Sequence, residues 1–103
     1  MKLLIGLPFA ALSFAAVAAP VAAPTDEQND RCANEDGGLS DSDAIAACTL
    51  IINLKPTDPL TYALAYSNRA VAEMALGQEE KSKADRRAAH RIDPKDFEDN
   101  PPE

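Results

Sequence analysis

An all-α fold follows from three features of the chain: apolar residues at helical spacing, residues that start and stop helices at the right intervals, and no alternating strand pattern anywhere. Met1-Lys2 opens on one positive charge and runs into Leu3, Leu4, Ile5, Gly6, Leu7, Pro8 and Phe9. The small-residue run Ala15-Ala16-Val17-Ala18-Ala19 follows. Charge, apolar stretch and an A-x-A triplet at Ala16-Val17-Ala18 are the three parts of a secretory signal peptide. A membrane anchor needs about 20 strongly apolar residues, and this run is broken by Pro8 and Ser13. Residues 1–18 are therefore expected to be removed, with cleavage after Ala22 as the alternative and 19–25 as a linker.

Composition narrows the rest. The 103 residues carry 17 acids against 10 bases, a formal net charge of −7. Loss of Lys2 with the leader makes the remainder more acidic still. Nucleic-acid binding needs surplus Lys and Arg, and so does attraction to anionic lipid, so neither partner is expected. A remainder this short rarely stabilises itself by a core alone.

Cys32 and Cys48 are the chain's two cysteines. In an exported protein they are expected to form one disulfide, closing a loop that contributes roughly 3 kcal/mol on the chain-entropy model. Metal and redox roles are disfavoured, because two isolated thiols close no zinc site and the spacing is not C-x-x-C. From Thr25 to Gly38 the apolar residues are Cys32 and Ala33 alone, too few to order the segment by burial. The covalent tie is expected to dock it.

Gly37-Gly38 break the chain, and Ser40 then caps a second helix with Asp41 and Asp43 in its first turn. Ala44, Ile45, Cys48, Ile51 and Ile52 make its stripe, which Ala47, Leu50 and Leu54 widen until little of the helix faces water. Lys55-Pro56 ends it. Asp58-Pro59 is an N-cap followed by proline at the first helical position, predicting a third helix from Pro59 to Leu76 with Gly77 as its stop. Its expected apolar face is Leu60, Ala63, Leu64, Ala70, Val71 and Met74, with Tyr62 and Tyr66 on a flank. A fourth helix spans Gln78 to Ile92, with Glu79 and Glu80 early, Arg86, Arg87 and Arg91 late, and a Glu79–Lys83 pair. Residues 95–103 read as an acidic, proline-broken, disordered tail.

The stretch Tyr66-Ser67-Asn68-Arg69-Ala70, Ala75-Leu76-Gly77, Ala84-Asp85 and Ala89 through Ile92-Asp93-Pro94 resembles one tetratricopeptide repeat, a helix–turn–helix unit of about 34 residues. Tyr66 falls at the aromatic position, Ala70 and Ala89 at the small ones and Pro94 at the closing proline. The segment Ala44 to Pro56 is similar to the second helix of an earlier unit. The resemblance implies a four-helix, antiparallel array over residues 26–94; an ordinary small four-helix bundle is the alternative. Glu73, Ser82 and Arg86 depart from the family pattern, standing where an aromatic, an alanine and an aromatic are usual. Pro56 and Pro94 are 38 residues apart, about one helical turn more than the repeat length.

Candidate chemistry is sparse. His90 is the lone histidine and no nucleophile accompanies it. The acids Asp26, Glu27, Asp30, Glu35 and Asp36 lack the spacing of a calcium loop, and no glycine-rich phosphate loop occurs. No catalysis, metal or cofactor is expected. The resemblance implies instead a partner-binding helix face made by Leu64, Ser67, Asn68, Val71 and Met74. The expected function is an exported interaction module of the cell envelope, periplasmic or secreted, that binds a protein or peptide. The alternatives are a periplasmic, holdase-like stress chaperone, helix-to-helix self-association and docking on a larger partner.

Overall fold

A computed structural model describes residues 23–98; the expected leader, most of the linker and the end of the tail lie outside them. Four helices follow one another: α1 (Asp26–Ala33), α2 (Asp41–Leu54), α3 (Pro59–Ala75) and α4 (Glu79–Ile92). There is no strand among the described residues.

Each boundary has a local cause. Thr25 caps α1 through a reciprocal box with Gln28, each side chain accepting the other's backbone N–H. The helix ends at Asn34, in the left-handed region at φ 49°. Asparagine tolerates that conformation. Its side chain then grips the backbone of Leu39 from both sides, at 2.9 and 3.0 Å, which fixes the turn into α2. Ser40 and Asp58 cap α2 and α3 as expected, accepting from Asp43 and Thr61. The Thr61 hydroxyl and backbone N–H both donate to Asp58, holding that carboxyl below its ordinary pKa. Lys55 leaves the right-handed helix by turning left-handed, at φ 53°, ahead of Pro56. A Schellman stop closes α3: Gly77 (φ 79°) donates to Met74 O and Gln78 to Glu73 O.

The first three helices pack on one another, and the fourth packs on the third alone. α1 rests on α2 and α3, α2 on α3, and α3 on α4, while the α4 backbone reaches neither α1 nor α2. Short connections between such neighbours make them antiparallel. The architecture is an open array, not a closed bundle.

Its interior is made of small residues. Among the described residues the buried hydrophobic ones are eight alanines, Ile51, Ile52 and the two cysteines. Cys32 and Cys48 are bonded to one another, and their disulfide sits at the meeting point of α1, α2 and α3 with Ile51, Ile52 and Ala65. Alanine removes little apolar area from water, so area burial stabilises this domain weakly.

The packing departs from the sequence pattern at several places. The outward side of α2 is open, with Leu50 59% exposed, because only α1 and α3 cover the helix. Leu60, Leu64, Val71 and Met74 are exposed as well; α3 turns inward Ala63, Ala65, Ala70 and Ala72. Tyr62 and Tyr66 pack against the core instead of standing on a flank. Lys83 pairs with Glu80 at 3.8 Å, not with Glu79, and both are too exposed for the pair to add much stability. Asp93 to Glu98, which runs from the end of the expected domain into the first part of the expected tail, includes a turn in which Asp96 and Phe97 donate to Asp93 O, while Phe97 O lies 2.7 Å from His90 Nδ1.

Candidate functional site

Two constellations stand out, a groove on one side of α3 and a buried polar cluster on the other. The groove lies between α1 and α3 and encloses ≈ 320 Å³. Its floor is Cys32, Ile51 and Ala65, with Cys32 Sγ 4.0 Å from Ala65 O. The disulfide thus does two things: it docks α1, and it sets the floor that α1 and α3 enclose. Leu64 and Asn68 form the α3 wall; Asp30 and Glu35 stand on the α1 side. A second hollow of ≈ 170 Å³ shares Cys32, Ala33 and Asn68 with the first and runs on to Val71, with Asp41 beside it.

Of the five residues that the sequence assigns to a binding face, the groove brings together Leu64, Asn68 and Val71, which fall on one line of the helix. Ser67 and Met74 belong to neither hollow. At 100° per residue they lie on the flank next to Ala63 and Ala70, toward α4. The α1 residues were missed. The signal for them was the disulfide itself, because tying Cys32 to α2 brings its helical neighbours beside α3.

On the inner side of α3, Tyr62, Tyr66, Arg69 and Glu73 succeed one another at intervals of four, three and four, the spacing of a single helix face. The Tyr62 and Tyr66 ring centroids are 5.5 Å apart, and the Arg69 guanidinium lies 5.5 Å from the Tyr66 centroid. Burial raises the Tyr66 pKa. Arg69 meets Asp85 of α4 through two parallel bonds of 2.7 and 2.8 Å and gives a third to Thr49 Oγ1 of α2 at 3.2 Å. One side chain therefore links three helices. The Asp85 bonds hold Arg69 firmly charged.

Glu73 is the weak member. Its carboxylate is buried, 3.6 Å from Arg69 Nε, while Asp85 takes the guanidinium's best geometry. Burial, and then the neighbouring Asp85, push the Glu73 pKa up to about 7. Glu73 Oε1 and Arg86 Nε are buried without partners. Ser82, fully buried, donates to Ala70 O at 2.8 Å and accepts from Arg86 at 2.7 Å. Glu73, Ser82 and Arg86, the three departures from the repeat pattern, thus fall in one place. Polar side chains, two of them with unpartnered buried atoms, occupy this part of the α3–α4 contact.

A carboxylate with a raised pKa often marks an active site. Here Glu73 is engaged by side chains of α3 and α4, and the Ser82 hydroxyl proton is already committed to Ala70 O. The cluster joins helices, whereas the groove is open to solvent. Among the described residues no group of His, Cys, Asp and Glu could hold a metal ion, and no helix is long and apolar enough to cross a membrane. Comparison with protein-family models, curated proteins and solved structures returns no match to this chain.

Proposed function

We propose that the chain is an exported interaction module of tetratricopeptide type whose α1–α3 groove receives a segment of a protein partner in the cell envelope. The observation that carries this reading is the groove's composition: Leu64, Asn68 and Val71 of the face implied by the repeat resemblance lie along a hollow floored by the disulfide. Asn68 is half-buried in its wall, where its amide offers both a donor and acceptors to a peptide backbone. The disulfide and the leader-like first 18 residues support export, since such bonds persist in oxidising compartments. The pattern of helix contacts, with α4 against α3 alone, supports the repeat reading over a closed bundle.

The test places a photo-crosslinking residue at Leu64 and, separately, at the exposed Arg87 of α4, in a strain that exports the chain. Crosslinks are expected from position 64 and not from 87. They are expected to vanish in Val71→Glu, with helicity unchanged. A Val71→Glu chain that keeps every partner removes the groove from the account.

A second reading, a holdase-like envelope chaperone, is supported by the exposure of Leu60, Leu64, Val71, Met74 and Leu76. It requires unrelated unfolded clients to be protected from aggregation, with Val71→Glu weakening that protection only in part.

A further inference from the structure

The charge around the groove points to the chemistry of its occupant. Residues 26–54 hold seven acids, Asp26, Glu27, Asp30, Glu35, Asp36, Asp41 and Asp43, against the single base Arg31. Helix α4 is the reverse, with Lys81, Lys83, Arg86, Arg87 and Arg91 against Glu79, Glu80 and Asp85. Asp30, Glu35 and Asp41 lie along the two connected hollows, whose linings include no Lys, Arg or His. Between these acids the floor is apolar, made of Cys32, Ile51 and Ala65 with Leu64 beside it.

We propose that the groove takes an extended, lysine- or arginine-bearing segment of another protein, with one apolar side chain seated on the Cys32–Ile51–Ala65 floor. This rests on the groove reading above and names its partner class. Three features select that occupant. The acids are spread along the groove and form no group able to hold a metal ion, so they match a row of positive charges better than one cation. From Thr61 to Val71 is about 15 Å of helix, which spans four or five residues of extended chain. A long basic side chain lays its methylenes on apolar surface while its charge reaches the rim.

A second copy of this chain is a poorer fit. Its basic helix, α4, exposes Lys81, Ala84, Arg87 and Arg91 but no large apolar side chain to fill the floor. Each copy is also acidic, −7 over the full sequence and more so without Lys2, and like charge opposes association.

The experiment is titration of the 15N-labelled chain, disulfide intact, with three capped pentapeptides followed by amide chemical shifts. The probes are Lys-Lys-Leu-Lys-Lys, Glu-Glu-Leu-Glu-Glu and Lys-Lys-Ser-Lys-Lys. The first is expected to shift the amides of Leu64, Asn68 and Val71 and to bind about tenfold more tightly than either control at low salt, as several rim ion pairs together allow. Its affinity should fall about threefold in Asp30→Asn and again in Glu35→Gln, exposed positions where the helix content should not change, and should weaken as salt rises. Equal binding of the acidic peptide at the same amides overturns the cationic partner and leaves the groove standing. Equal binding of the serine peptide overturns the apolar seat. If unlabelled chain shifts those amides and the peptides do not, the occupant is a second copy and the proposal fails. If nothing shifts them, the groove reading fails with it.

Discussion

On the α1–α2 side the helices are joined by a covalent bond, surrounded by acids and left with an open groove. On the α3–α4 side they are joined by Arg69, Asp85 and Ser82 through hydrogen bonds, with alanines between them. Both sides answer the same shortage, since among the described residues no buried hydrophobic side chain is larger than isoleucine. The covalent solution contributes by restricting the unfolded chain, and it leaves side chains near the bond free to line an open groove. The hydrogen-bonded solution draws its side chains into the interior and makes stability depend on proton uptake.

The largest expected effect lies on the polar side. Arg69→Ala leaves Asp85 and Glu73 buried without their cation, and breaking a buried pair this way costs about 3–5 kcal/mol. Urea unfolding should show that loss near pH 8, with partial relief near pH 5, where Glu73 takes up a proton. A midpoint unchanged from wild type would mean that the cluster does not join α3 to α4.

Next is the covalent side. Replacing Cys32 and Cys48 together by serine should cost roughly 3 kcal/mol and free α1, because Asp26–Ala33 buries little besides Cys32. Peptide-induced shifts at Leu64 and Asn68 should disappear with it. Retained shifts would show that the groove does not need α1.

Glu73 gives a smaller effect with a definite sign. Its carboxyl, ordinarily near 4.5, titrates at about 7 in the folded chain, so the native state holds the proton that the unfolded state has released. Its contribution is fully present below 4.5 and is lost as pH rises through 7. Stability should therefore fall by about 2 kcal/mol between pH 5 and pH 8. Glu73→Gln, which keeps the shape and cannot ionise, should flatten that slope and stabilise the chain at pH 8. A slope equal to wild type would place the titration elsewhere. The smallest effect is Val71→Glu: at 69% exposure it should alter stability by less than about 0.5 kcal/mol while abolishing binding.

Much of this domain was legible in its sequence, for reasons that differ by element. Caps and stops were readable because Ser40, Asp58, Pro59 and Gly77 act on their own neighbouring backbone. The cysteine pairing was readable because only one partner existed for each. The buried face of α3 was not. Helix α3 carries two stripes at similar spacing, one of Leu60, Leu64 and Val71 and one of Tyr62, Tyr66, Arg69 and Glu73. Hydrophobicity favours the first, yet the second is turned inward because Asp85 and Thr49, distant in sequence, await Arg69. Glu73, Ser82 and Arg86 were visible as departures from a pattern; that they form one cluster depends on how α3 and α4 align. The groove was half legible, since α3 supplied its residues and α1 entered only through the disulfide.

The most direct test of the contrast between the halves is amide hydrogen exchange along the chain before and after reduction of the Cys32–Cys48 bond. On reduction, amides of Asp26–Ala33 should lose their protection while those of α3 and α4 remain slow. Protection that persists in α1, or that collapses in all four helices at once, would contradict the account.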